Sequence, residues 1–182
     1  MVLLRGINVG GKNIIKMADL RCAFTTLGCM DVSTYIQSGN VLFDSKVKNT
    51  QTLCFAIEQA LAKEFMGTFH VIVLTREQLE TVVRNAPPGF GEDPARYRYD
   101  VAFVRPPARA DLILPTISLK QGVDEAFQRN GVLYLKRLTT RASQSHLPRL
   151  TLNAAYSSLT IRNWNTTSQL CRLIGAGGAP IR

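Results

Sequence analysis

The sequence predicts an α+β protein made of two ferredoxin-like units packed together, each a βαββαβ run forming an antiparallel sheet backed by helices. Three observations lead there. Segments of strand and helix period follow one another in the same order twice. Two hairpin signals, Ser38-Gly39-Asn40 and Asn130-Gly131, place their glycines 92 residues apart. The stretches expected to form the fourth strands, near Val71 and Leu159, fall 88 apart. The halves thus share an order of elements without visible identity of sequence.

In the first half, Val2 to Val9 is a short apolar run ending at Gly10-Gly11, a strand followed by a tight loop. Met17, Leu20, Phe24 and Leu27 recur at three and four, as in a helix that Gly28 closes. Asp31 to Ile36 and Val41 to Phe43 are rich in β-branched and aromatic residues and flank the first turn signal, so they pair as a hairpin. Leu53, Ile57, Leu61 and Phe65 mark a second helix, and Phe69 to Leu74 the fourth strand. Thr75-x-x-Gln78 has the form of a capping box, opening a helix that Pro87-Pro88 stops. The Pro- and Gly-rich stretch Pro87 to Pro94 marks the boundary. This gives a first unit with its connecting helix over 1–88, a second over 96–175 and a loose tail over 176–182.

In the second half, Asp100 to Val104 reads as a strand and Arg109 to Leu114 as a short helix cut off by Pro115. Glu125 to Arg129 and Val132 to Lys136 flank Asn130-Gly131, a pair suited to a type I′ turn. A helix is expected over Leu147 to Ala155 with Pro148 in its first turn, then a strand over Leu159 to Ile161. A second box, Thr166-x-x-Gln169, is expected to open the last helix. Because Phe69 to Leu74 and Val101 to Val104 are apolar on both faces, both faces of each sheet are expected to be covered.

With 46% hydrophobic and 19% charged residues, the 182-residue chain has the means to bury a core, which excludes a disordered or fibrous class. No apolar run approaches the ~18 residues of a membrane helix, and the N-terminus carries no signal-peptide pattern, so the chain reads as cytoplasmic with no membrane partner. Cys22, Cys29, Cys54 and Cys171 form no CxxC pair, and only His70 and His146 stand beside them, so neither a metal nor a cofactor is called for. Cys22, Cys54 and Cys171 sit among apolar residues at helical spacing and read as reduced, buried thiols without a disulfide. The net charge of +9 is uneven: residues 1–91 carry 9 basic and 7 acidic side chains, residues 92–182 carry 13 and 6. After Glu125 there is no acidic residue, while Arg129, Lys136, Arg137, Arg141 and Arg149 lead a basic run. That run suits phosphate contacts, although no aromatic stacking pattern accompanies it.

Several residues recur as a motif: Leu3-Leu4-Arg5-Gly6-Ile7-Asn8-Val9-Gly10-Gly11-Lys12-Asn13, Met17-Ala18-Asp19-Leu20-Arg21, and Thr34-Tyr35-Ile36-Gln37-Ser38-Gly39-Asn40-Val41 with Phe43. Near the other end stand Thr160, Arg162-Asn163-Trp164, Thr166 and Leu170. Together they resemble the bacterial family catalogued as domain of unknown function 1697. The resemblance spans most of the chain and is thin between Gln121 and Ser158. It implies two ferredoxin-like units in a cytoplasmic protein and implies no reaction, so function is argued from sites.

Gly6-x-x-x-x-Gly11-Lys12 formally matches a phosphate-binding P-loop after a strand and before a helix. Asn13 stands where Ser or Thr would hold Mg²⁺, and Ile14-Ile15 delay the helix, so the expectation is an anion-binding loop without hydrolysis. Tyr35, Gln37, Ser38 and Asn40 make a polar strand end, and Arg162-Asn163-Trp164 precedes the last helix, whose first N–H groups favour an anion. An RNA-recognition module would need aromatics on its first and third strands; Leu3 to Val9 has none and Asn40 to Asp44 only Phe43. The candidate ligand-binding set is therefore Arg5, Asn8, Gly10, Gly11, Lys12, Tyr35, Gln37, Asn40, Arg162, Asn163 and Trp164. The expected role is binding of an anionic small molecule or of nucleic acid phosphate. An enzyme using Asn8, Tyr35, Gln37 and Asn163, or a self-associating module forming a homodimer, are the alternatives.

Overall fold

A computed structural model of the chain describes residues 1–11 and 13–176. Its contacts divide it into two compact units: Met1–Leu79 with the described residues from Leu170 onward, and Glu80–Gln169. The expected loose tail, 176–182, lies outside the described residues except for Ala176, whose N–H donates to the Arg172 carbonyl.

The first unit runs β1 (Val2–Leu4), α1 (Met17–Thr26), β2 (Met30–Tyr35), β3 (Asn40–Asp44), α2 (Thr50–Phe65) and β4 (Val71–Val73). Its strands pair antiparallel in the order β2-β3-β1-β4, the ferredoxin-like arrangement. Helix α1 ends as Gly28 predicts: with φ +85° it donates to the Thr25 carbonyl while Cys29 N–H reaches Phe24, the double bond of a Schellman cap. Helix α2 starts where Asn49 accepts from the N–H groups of Gln51 and Thr52. The apolar stripes of both helices, Leu20 and Phe24 on α1 and Leu53, Ile57 and Leu61 on α2, close over Val2, Leu4, Val41 and Val71. Cys22, expected buried, lies off the α1 stripe and is exposed; all four cysteines are free.

Helix α3 (Arg76–Arg84) follows, opened by the expected box: Gln78 N–H donates to Thr75 Oγ1 at 3.1 Å and Thr75 N–H to Gln78 Oε1 at 2.9 Å. The second unit continues with β5 (Tyr97–Val104), α4 (Ala110–Ile113), β6 (Asp124–Arg129), β7 (Val132–Leu138), β8 (Leu159–Asn163) and α5 (Trp164–Gly175). The change of unit falls inside α3 and again inside α5. The order β6-β7-β5-β8 repeats that of the first sheet, and Arg129 faces Val132 across Asn130 and Gly131, both in the left-handed region. Val71 and Val101 are both fully buried, as strands apolar on both faces require.

Two further expectations are corrected. No α-helix covers 147–155; the second crossover is three 3-10 segments, Thr139–Gln144, Leu147–Leu152 and Ala154–Ser158. Pro148 lacks a backbone donor, and extended Asn153 breaks the run, its side chain accepting from Ala155 N–H to start the next turn. Helix α5 begins at Trp164 rather than at the Thr166 box, because Asn163 Oδ1 takes the Thr166 N–H at 2.7 Å and caps the helix first.

Candidate functional site

In the first unit the Gly-rich loop between β1 and α1 folds through an unusual run of left-handed residues: Gly6, Asn8, Gly10, Gly11 and Asn13. At Gly10 and Gly11 an added Cβ would meet nothing within 4 Å, so it is the backbone conformation, not space, that calls for glycine. Asn8 stitches the loop. Its Oδ1 accepts from Ile15 N–H at 2.7 Å, and its Nδ2 donates to the carbonyls of Ile15 and Gln37, each at 3.0 Å. The loop is thereby fixed to the β2–β3 turn. That turn is itself tied, since buried Asn40 donates to the Tyr35 carbonyl and to Ser38 Oγ, and Leu4 N–H donates to the Gly39 carbonyl at 2.7 Å. An added Cβ on Gly39 would come within 2.8 Å of Leu4 Cβ. Ile36 takes φ +50°, a strained conformation for a β-branched residue.

The structure thus brings Asn8, Tyr35, Gln37 and Asn40 together, but spends the side chains of Asn8 and Asn40 on internal bonds. Gln37 is exposed and Arg5 and Tyr35 are half-buried. Lys12 lies outside the described residues. Helix α1 starts at Met17, too far from Gly11 for a P-loop, which agrees with the reading from Ile14-Ile15. A cavity of about 610 Å³ in the same unit is lined by Asp31, Asp44, Lys48, Arg76 and Glu77 among others, and by none of the candidate residues.

Arg162, Asn163 and Trp164 belong to the second unit. Burial pushes the Arg162 guanidinium down to about 10, still cationic near neutral pH, and its Nη1 donates to the Ile161 carbonyl. Asn163 and Trp164 line a cleft of about 300 Å³ with Pro94, Tyr97, Arg98, Tyr99, Thr139 and Asn165. Sequence reading missed these partners, which come from four separate segments. Trp164 stands edge-on to Phe90, centroids 5.2 Å apart, and Phe90 contacts Tyr99 and Tyr134 in the same manner. The Tyr134 hydroxyl donates to the Val82 carbonyl at 2.7 Å, and desolvation pushes its pKa up to about 12.

Ser118 Oγ lies 3.0 Å from His146 Nδ1. A catalytic triad would need a carboxylate on the other ring nitrogen. Asp124 instead takes the His146 backbone N–H, the Lys120 N–H and the Ser145 hydroxyl, so the pair stays a surface contact. Among the described residues no group of three or more metal-ligating side chains converges, and no helix is long and apolar enough to cross a membrane.

The fold and site define an α+β protein of two ferredoxin-like units, with a stitched Gly-rich loop at one sheet end. The family described as Protein of unknown function (DUF1697) matches residues 1–134, and the chain belongs to it. Among solved structures it is similar to the conserved bacterial protein SP0830 from Streptococcus pneumoniae, 29% identical, with a TM-score of 0.80 over 95% of this chain and 96% of that one. No curated protein matches the chain.

Proposed function

We propose that the chain is a cytoplasmic binding protein for an anionic ligand, a small phosphate-bearing molecule, held at the Gly-rich loop of the first unit. One observation carries this reading: consecutive left-handed residues at Gly10 and Gly11, on a loop that Asn8 locks to the β2–β3 turn. Backbone N–H groups gathered in such a turn form a concave anion site, and a locked loop loses little further entropy on binding. Arg5 stands at the root of the loop and Lys12 follows Gly11 in sequence, so this stretch of chain carries two cations. Four free thiols fit a reducing compartment. Hydrolysis of ATP or GTP with Mg²⁺ is not expected, given Asn13 and the late start of α1.

Thermal shift with phosphate, pyrophosphate and nucleoside triphosphates tests this. A ligand held here stabilises the protein in proportion to its concentration over Kd, and Lys12→Ala weakens it strongly while Arg137→Ala barely matters. If the basic second half binds nucleic acid instead, affinity falls with salt at a log-log slope of about −0.9 per phosphate contact on duplex DNA, and Arg137→Ala with Arg141→Ala lowers that slope. Indifference to every anion, or to Lys12→Ala, rules the loop site out.

A further inference from the structure

We propose that the second unit holds a single nucleobase-type ring, a flat nitrogen heterocycle, in the cleft between Tyr97 and Trp164. This goes beyond the anion reading: it concerns another unit and needs no charge on the ligand.

The walls come first. Trp164 is fixed from behind by the backbone of Gly91, which sits at φ +89° and where an added Cβ would run into the indole Nε1. The perpendicular contact with Phe90 holds it from the side. Tyr97 lines the same cleft from the start of the central strand β5, with Lys136 Nζ 4.2 Å and Arg96 Cζ 5.1 Å over its ring centre. Aromatic faces held this firmly favour a flat partner, because stacking orders neither wall further.

The polar groups then select among flat partners. Asn163 commits its Oδ1 to the Thr166 N–H, which fixes the amide plane and leaves the NH₂ as donor. Asn165 offers a full amide and Thr139 a hydroxyl, both exposed at the rim. Arg98, also at the cleft, is engaged by both Asp100 oxygens, at 2.8 and 3.2 Å. An aromatic face beside amides with both donors and acceptors is a set that proteins use to read an unstacked base.

Charge decides the rest. Arg98 is paired with Asp100, and Lys136 with Glu125 at 2.9 Å, so these two cations are already engaged by carboxylates. Its volume of about 300 Å³ suits one base and not a stacked pair. The ring is expected to bind whether or not a phosphate is attached, as a free nucleoside or as the end of a single strand.

Trp164 is the chain's only tryptophan, so its fluorescence reports on this cleft alone. Titration of the full chain with adenosine, guanosine, cytidine and uridine is expected to quench it, at least for one of the four. Ribose 5-phosphate at the same millimolar concentrations is expected to have no effect. Asn165→Ala and Thr139→Ala change exposed groups and leave the fold intact by circular dichroism; each weakens the responsive nucleoside by roughly fivefold or more. Tyr97→Leu removes a stacking face and weakens it by roughly tenfold. A short oligoadenylate binding more tightly than adenosine, with the same Asn165 dependence, names a strand end as the source; equal binding names the free nucleoside. The proposal fails if no nucleoside quenches Trp164, if ribose 5-phosphate quenches as much, or if Asn165→Ala and Thr139→Ala leave binding unchanged. Lys12→Ala must leave the quench intact, so this result and that of the anion test fail independently.

Discussion

The two units share one strand order and differ in what lies between the strands. In the first, strands of 3 to 6 residues are crossed by α1 and α2, of 10 and 16 residues. In the second, strands of 5 to 8 residues are crossed first by the four-residue α4 and then by 3-10 turns alone. Helix α2 brings Leu53, Ile57 and Leu61 to its core, whereas Leu150 is the buried side chain that the turns of 139–158 bring to theirs. What holds those turns is a carboxylate. Asp124, 6% exposed, accepts from Ser145 Oγ at 2.6 Å, from His146 N–H at 2.7 Å and from Lys120 N–H at 3.0 Å. A topology fixed by strand pairing thus accepts either an amphipathic helix or a polar anchor as cover for the sheet.

The largest effect should come from removing that anchor. Asp124→Ala leaves a buried hydroxyl and two backbone N–H groups without their acceptor, each costing about 1–3 kcal/mol, and the losses overlap as the turns relax. Hydrogen exchange is the suitable readout, because two units need not unfold together. Amides of 139–158 should lose protection while those of α1 and α2 keep it. Equal loss in both units would show that Asp124 supports more than its own crossover.

The same carboxylate gives a pH dependence of defined sign. Burial alone would raise its pKa, but the bonds from Ser145, Lys120 and His146 outweigh it and hold the group below the ordinary value of 3.8. A depressed carboxylate stabilises the fold fully above its unfolded pKa, and that contribution fades as pH falls through the folded value. Protection of 139–158, relative to an Asp124→Asn variant, should therefore be steady from neutral pH to about 4 and shrink below it. A gap that narrows well above that range would assign the effect to a group other than Asp124.

In the first unit the matching experiment is smaller. Asn8→Ala removes three hydrogen bonds, but all lie in a partly exposed loop, so the net cost is about 1–2 kcal/mol. Exchange of the Ile15 amide should accelerate, with the sheet unaffected. Asn49→Ala removes the α2 cap and should cost about 1 kcal/mol, seen as fraying at Gln51 and Thr52.

These contrasts also explain what was legible in the sequence. In the first unit the helices could be read, because α1 and α2 carry apolar residues at three and four, whereas β1, expected over Val2 to Val9, stops at Leu4 before left-handed Gly6 and Asn8. The hairpins were legible from Gly39 and Asn130-Gly131. The crossover over 139–158 was not, since 3-10 turns impose no amphipathic period and the acceptor that organises them lies 21 and 22 residues away from Ser145 and His146. Asn8 and Asn40 were legible as candidate polar groups, yet nothing in a sequence tells an internal stitch from a ligand contact. Tyr97, Arg98, Thr139 and Asn165 escaped notice because a cleft lined from separate segments has no local signature.

The smallest effect concerns the residue next to the anchor. Glu125 follows Asp124 on β6, and because successive side chains point to opposite faces of a strand, one carboxylate is buried and the other is half exposed. Glu125 meets Lys136 at 2.9 Å across the sheet, and the hydrogen bond between them is the main reason the Lys136 ammonium is held above its ordinary pKa. A raised lysine stabilises the fold below its unfolded pKa and loses that contribution as pH rises through the folded one, so the pair acts undiminished at neutral pH. Even so, solvent screens it and two long side chains must be ordered to form it, which limits the net to about 0.5 kcal/mol. Glu125→Gln should therefore leave the protection of 139–158 unchanged where Asp124→Ala abolishes it. Lys136 keeps its place over the Tyr97 ring, so added salt should erase what little difference remains. A loss at Glu125 as large as that at Asp124 would mean that the sheet face, and not the carboxylate anchor, holds the second crossover.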